Sequence, residues 1–296
     1  MSATTPTATE GTGVTIAAGP LDGIRLHFGG ILRSEWIKLR SLRSTVWCLA
    51  LVIVLSIGIA ALASGLIPLD HPGAMPASVA DRYLVEVSTA GIAFTQLAAA
   101  VLGVLVISGE YTTGMIRSTF TADPRRFGAF FGKLIMLAVV IFVVGVVSIG
   151  ISALVGMWIF NARGLSASLG HSEVLLPMLG GAGYLALIAL LAYACGAILR
   201  SSAGGISTIM GVLLVLPVAL SLIGALTQAQ WVTNVAAFLP TQAGGHIYAY
   251  VDPNAPAVHA PAGLVTLDAG QGALVLAAWV VVGLVVAAVL TKRRDV

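Results

Sequence analysis

Metal, redox and acid–base chemistry would fall to the His, Cys, Asp and Glu side chains of this sequence, and their spacing supports none of it. His71, His171, His246 and His259 are scattered without an HxxxH or HxH pair. Asp70-His71 is the only adjacent oxygen and nitrogen donor pair, whereas a metal site needs three or four convergent donors. Cys48 and Cys195 lie far apart without CxxC spacing and read as small apolar fillers. No paired Asp, HExxH or Ser with a base is evident, and nothing matches GxxxxGK[ST]. The chain is therefore expected to be no enzyme, to bind no cofactor or metal, and not to hydrolyse ATP. One stretch does concentrate polar residues: "SGEYTTGMIRSTFTADPRRFGAFFGK", Ser108 to Lys133, holds a Glu, an Asp, four basic residues, a Pro and four Gly between two long apolar runs.

Those flanking runs define the class. With 58% hydrophobic and 9% charged residues, the 296-residue chain lies far outside the soluble globular range and reads as an all-α integral membrane protein. Hydrocarbon about 30 Å thick, crossed at 1.5 Å per residue, needs about 20 residues per span. Apolar spans are expected at 46–67, 87–107, 134–160, 175–199, 206–226 and 273–290, six in all within one membrane domain over 44–296. Residues 1–20, rich in Thr, Ala and Gly, read as a disordered tail rather than a cleavable signal.

Every Lys and Arg except Arg82 and Arg163 lies on one side of this arrangement, which predicts that side, with both termini, to be cytoplasmic. The four histidines above then face outside. Although the net charge is +3, the basic residues hug the span boundaries, where anionic lipid and topology explain them and nucleic acid is not implied.

Two segments beside the spans carry helical periodicity. In residues 21–43, Ile24, Phe28, Ile31, Leu32, Trp36, Leu39 and Leu42 gather within roughly 140° of a helix, opposite Arg33, Ser34, Lys38 and Arg40. This predicts an amphipathic helix lying at the inner interface, with Glu35 out of place inside the apolar arc. Within the polar stretch, Thr112 or Thr113 can cap a short helix in which Ile116, Thr119 and Phe120 share one face, and Asp123-Pro124 starts the next long helix. Apolar residues at helical spacing in a cytoplasmic loop suggest a docking surface.

At these residues the chain resembles the permease subunits of bacterial type-2 ATP-binding-cassette (ABC) exporters. The resemblance rests on Glu110, Gly114-Met115 (usually Gly-Thr), Pro124 with Arg126, and Gly132-Lys133, in that order, together with "RSEWIKLRSLRSTVW" before and into the first span. It implies a cytoplasmic coupling helix between spans two and three that docks in a separate ATPase, where ATP and Mg bind. The coupling residues would be Glu110, Thr113, Gly114, Met115, Ile116, Arg117, Phe120, Arg125 and Arg126. It also implies a second permease, as homodimer or heterodimer, with a substrate path near spans two and five. Phe94, Gln96, Thr208 and Met210 are the candidates for that path. A re-entrant outer segment before span six would carry a gate at Phe238 and Tyr248.

On this reading the protein sits in the bacterial plasma membrane, spans it six times and exports an amphiphilic compound such as a drug, peptide antibiotic or lipid. Two alternatives remain open: a non-transporting immunity or assembly factor, and a self-powered secondary transporter. Against the latter, Glu86 and Glu110 fall at span ends and no inverted repeat is evident.

Overall fold

A computed structural model describes residues 28–69, 75–115, 127–252 and 263–293 of the chain. The regular elements among these residues are all helical. In order they are α1 (Phe28–Ser41), α2 (Arg43–Leu66), α3 (Ala77–Thr89), α4 (Ile92–Thr113), α5 (Phe127–Ala162) and α6 (Ser172–Leu199). There follow α7 (Ser202–Met210), a π-helical turn (Gly211–Val215), α8 (Leu216–Thr227), α9 (Gln230–Ala237), α10 (Pro240–Gly245) and α11 (Ala269–Arg293).

Six stretches are long and apolar enough to cross a membrane: Arg43–Leu66, Ala77–Thr113, Phe130–Ala162, Ser172–Leu199, Ser202–Thr227 and Ala269–Arg293. The protein is a multi-pass membrane protein. The second stretch starts ten residues earlier than the expected 87, and the charged side chains in those ten residues are paired. The Arg82 Nε donates to Glu86 at 2.7 Å one turn on, and Asp81 accepts from His171 Nδ1 at 2.7 Å and from the Ser168 amide at 3.3 Å. With those charges matched, the helix continues through them and is interrupted only at Ala90–Gly91.

Burial divides the spans into centre and rim. Within Ala77–Thr113 and Ser172–Leu199 an apolar window of 18 residues is 61% and 67% buried, whereas the corresponding windows of Arg43–Leu66, Ser202–Thr227 and Ala269–Arg293 are 22%, 11% and 17% buried. Accordingly α6 packs against α4, α5 and α11, with α2 against α5 and α4. Between helices in lipid, close approach and dispersion replace the hydrophobic drive. Gly103 of α4 shows how close: a Cβ there would stand 2.2 Å from the Ala189 carbonyl oxygen of α6.

The π turn has a local cause. Pro217 has no N–H to return to the Leu213 carbonyl, so the helix widens and the Leu216 amide donates to Gly211, five residues back.

At the end remote from most Lys and Arg, Arg163 closes α2. Its guanidinium donates to the carbonyls of Ser64 at 2.6 Å and Ile67 at 2.8 Å, satisfying acceptors that the helix end leaves open. Arg163→Met should therefore lower stability by about 1–2 kcal/mol, read as a lower thermal midpoint in detergent. An unchanged midpoint would mean that solvent serves those carbonyls equally well.

Candidate functional site

At the basic end the chain builds a buried ionic cluster from three elements. Lys133, one and a half turns into α5, places Nζ 2.6 Å from Glu35 Oε2 of α1 and 2.6 Å from Glu110 Oε1 of α4. Lys38, one turn after Glu35 on α1, reaches Glu35 Oε1 at 2.9 Å and Glu110 Oε1 at 3.0 Å. Glu35, Glu110 and Lys133 are 4%, 7% and 3% exposed, so the attraction acts with little solvent screening.

Two carboxylates and two ammonium groups leave the cluster neutral, which is what makes its burial tolerable. For Lys38, burial opposes the charge, but the hydrogen bonds and fields of Glu35 and Glu110 outweigh it and hold the ammonium above its ordinary range. Its contribution is thus complete at neutral pH and is lost only as pH rises past the usual lysine value.

The cluster explains the place of Glu35. The expected apolar arc of α1 divides: Leu39 and Glu35 turn into the protein, while Phe28 and Trp36 stay exposed. What looked like a stray charge is the residue that fastens α1 to α4 and α5. Lys133 stands immediately before the expected apolar span at 134, and that position was the available sequence signal.

The hydroxyl of Thr113 is bonded within its own helix end: Thr113 Oγ1 donates to the Gly109 carbonyl at 2.8 Å, and Gly114 terminates α4 with a left-handed φ of 72°. Met115 is exposed. Ile116, Arg117, Phe120, Arg125 and Arg126 lie outside the described residues, as do His71, His259 and the 1–20 tail.

The four pathway candidates differ in burial. Phe94 is 57% exposed and Thr208 is exposed, both on the outer side of the bundle. Gln96 is buried instead, its Nε2 donating to the Ala93 carbonyl at 3.0 Å and its Oε1 accepting from the Tyr184 hydroxyl. Its amide is thus spent on joining α4 to α6. Met210 is half-buried against the core.

Near the other end, Tyr248 packs against Tyr184 with ring centroids 5.3 Å apart and the rings tilted by 57°, and burial pushes its phenol up from the ordinary value. Tyr248 also lines a cavity of about 650 Å³ with Arg82, Glu86, Thr89, Ala93 and Asp252. Phe238 is exposed, and its carbonyl accepts from Trp279 Nε1 of α11 at 2.9 Å. The α10 segment inserts closely: a Cβ on Gly244 would meet the Tyr184 ring at 2.2 Å. Sequence reading passed over Tyr184 and Pro217; a Pro inside the fifth apolar run was the available signal for the widened turn.

Six apolar crossings around a polar-locked basic end define a helical multi-pass membrane protein. Residues 31–218, more than half of the chain, match the family described as ABC-2 family transporter protein, and the chain belongs to that family. It is a transmembrane transporter subunit. No curated protein matches the sequence.

Proposed function

We propose that the chain is the permease of an ATP-driven exporter in the bacterial plasma membrane, its basic end and both termini cytoplasmic, powered by a separate ABC ATPase that binds ATP and Mg. The observation that carries this reading is the ionic cluster in a chain of this family. Glu110 lies just before residues 116–126 and Lys133 just after them, and Glu35 and Lys38 tie both to α1. A push on the connecting segment is therefore delivered to the ends of α4 and α5 together. Glu110 serves as a positioning residue in this scheme, since its carboxylate is committed inside the protein. The connecting segment, docked through Ile116 and Phe120, is the coupling helix, and α1 is the interfacial helix beside it.

The sparsely buried fifth span and Phe94 offer the face on which a second permease packs, with the cargo path between protomers. An apolar lining favours amphiphilic cargo. The α9–α10 segment, seated against Tyr184, is the re-entrant outer element, and Tyr248 and Phe238 flank its exit.

Coupling is tested by co-expressing the chain with its candidate ATPase. Ile116→Ser with Phe120→Ser should weaken co-purification severalfold or more, since each buried side chain contributes about 1.5–3 kcal/mol. Arg125→Gln with Arg126→Gln should matter less, exposed pairs contributing about 0–1 kcal/mol. Normal co-purification and transport by the double-Ser protein would overturn the coupling assignment.

A further inference from the structure

The roll of α1 about its own axis is fixed from the inside. Glu35 and Leu39 are buried, Glu35 is held by Lys133 and Lys38, and Ile31 fits so closely against α5 that a Cβ on Gly132 would stand 2.7 Å from its Cγ2. The opposite side is thereby turned away from the bundle. At 100° per residue, Trp36, Arg40, Arg33 and Ile37 fall within about 100° on that side, with the two arginines in the middle. All four are exposed. Lys38, the other basic residue of α1, is committed to Glu35 and Glu110, whereas among the described residues neither Arg33 nor Arg40 has an ion-pair partner.

The height of this stripe in the membrane follows from the next element. Only Leu42, extended at φ −80° and ψ 120°, separates α1 from α2, the first crossing, and Val46 and Trp47 within the first turn of α2 are already exposed. The apolar layer therefore begins within about a turn of α1, and the stripe lies at headgroup level. There a guanidinium meets phosphate, to which it can donate two parallel N–H bonds, and an indole rests with its ring at the edge of the apolar layer. A surface meant for water alone has no use for Trp36 and Ile37. One meant for acyl chains alone has no use for Arg33 and Arg40.

We propose that this outward stripe of α1 binds anionic phospholipid, with Arg33 and Arg40 on phosphates and Trp36 and Ile37 set between the headgroups. The two arginines stand seven residues, about 10 Å, apart along the helix, so they engage neighbouring headgroups rather than one. Arg43, exposed at the start of α2, extends the positive charge. Because Glu35 fastens this same helix to α4 and α5, lipid charge acts on the joint that the ionic cluster holds. The assignment needs no nucleotide, partner subunit or transport, and it stands or falls separately from the exporter reading.

The test uses the purified full chain, stripped of lipid and titrated in neutral detergent with palmitoyl-oleoyl phosphatidylglycerol or phosphatidylcholine, bound lipid being counted by native mass spectrometry. Both lipids carry a phosphate, but choline neutralises it. The glycerol lipid should bind more tightly, and Arg33→Gln with Arg40→Gln should weaken it about thirtyfold, about fivefold per arginine, with choline-lipid binding and the lipid-free thermal midpoint little changed. Added salt should erode the preference. Lys292→Gln with Arg293→Gln, which removes the same charge from two exposed residues at the end of α11, should leave the preference within about twofold. Trp36→Ala should weaken both lipids alike. Equal binding of the two lipids, or equal losses in the two charge variants, overturns the proposal. Competition by soluble glycerophosphoglycerol as strong as by the lipid overturns the lipid assignment in favour of a free phosphate. Lost co-purification with an ATPase in the arginine variant, its lipid binding intact, overturns it in favour of that subunit.

Discussion

Replacing Lys133 with Met is expected to cost about 3–5 kcal/mol of stability, the penalty for removing one side of a buried ion pair. Glu35 and Glu110 would both remain buried with only Lys38 between them, and Lys38 is the more exposed of the two ammonium groups. The charge imbalance, rather than the lost volume, causes most of this loss. Lys133→Met combined with Glu110→Gln restores neutrality, leaves the Glu35–Lys38 pair intact and should recover about half of the deficit. Thermal midpoints of the wild-type, single and double variants, measured in one detergent, check this. A double variant no more stable than the single would show that packing at Lys133, not charge balance, holds the joint.

The cluster also shows what could be read in advance. Glu35 stood out as a charge on an apolar arc, and Glu110 and Lys133 stood out at span ends. Their meeting could not be read, because Glu35 and Lys133 are 98 positions apart and periodicity reports only which face of one helix is apolar. For the same reason the pathway candidate Gln96 could not be matched in advance with Tyr184, which lies 88 positions away. The six crossings were legible because hydrocarbon thickness alone dictates them. The early start of the second was hidden, since charges at Asp81 and Arg82 look like an end until His171 and Glu86 are seen beside them.

The second large effect is steric. Gly103→Ala should force α4 and α6 apart, because the new methyl would stand 2.2 Å from the Ala189 carbonyl oxygen and 3.1 Å from the Ala192 Cβ. A backbone oxygen on a helix cannot turn aside as a side chain can. Overpacking of this kind costs about 1–3 kcal/mol, and Gly103→Leu should exceed that range. Two turns along the same helix the sign reverses. A Cβ on Gly109 meets nothing within 4 Å, so Gly109→Ala should be neutral or stabilising by about 0.4–1 kcal/mol through a less flexible unfolded chain. Midpoints of the two Ala variants should fall on opposite sides of the wild type. If Gly103→Ala matches Gly109→Ala, the two helices are not in contact at that point.

The central position of α6 bears on how the protein is made. Glu35, Lys38, Glu110 and Lys133 all belong to the first 133 residues, so the ionic joint can close as soon as the third crossing has left the ribosome. The groove of α4 that receives Ala189 and the amide of Gln96 must wait for the fourth. A nascent chain of three crossings can thus close this joint while Asp81 still waits for His171 and the Gln96 Oε1 for Tyr184. The fourth crossing, which brings both Tyr184 and Ala189, is therefore the step that packs α4 against α6.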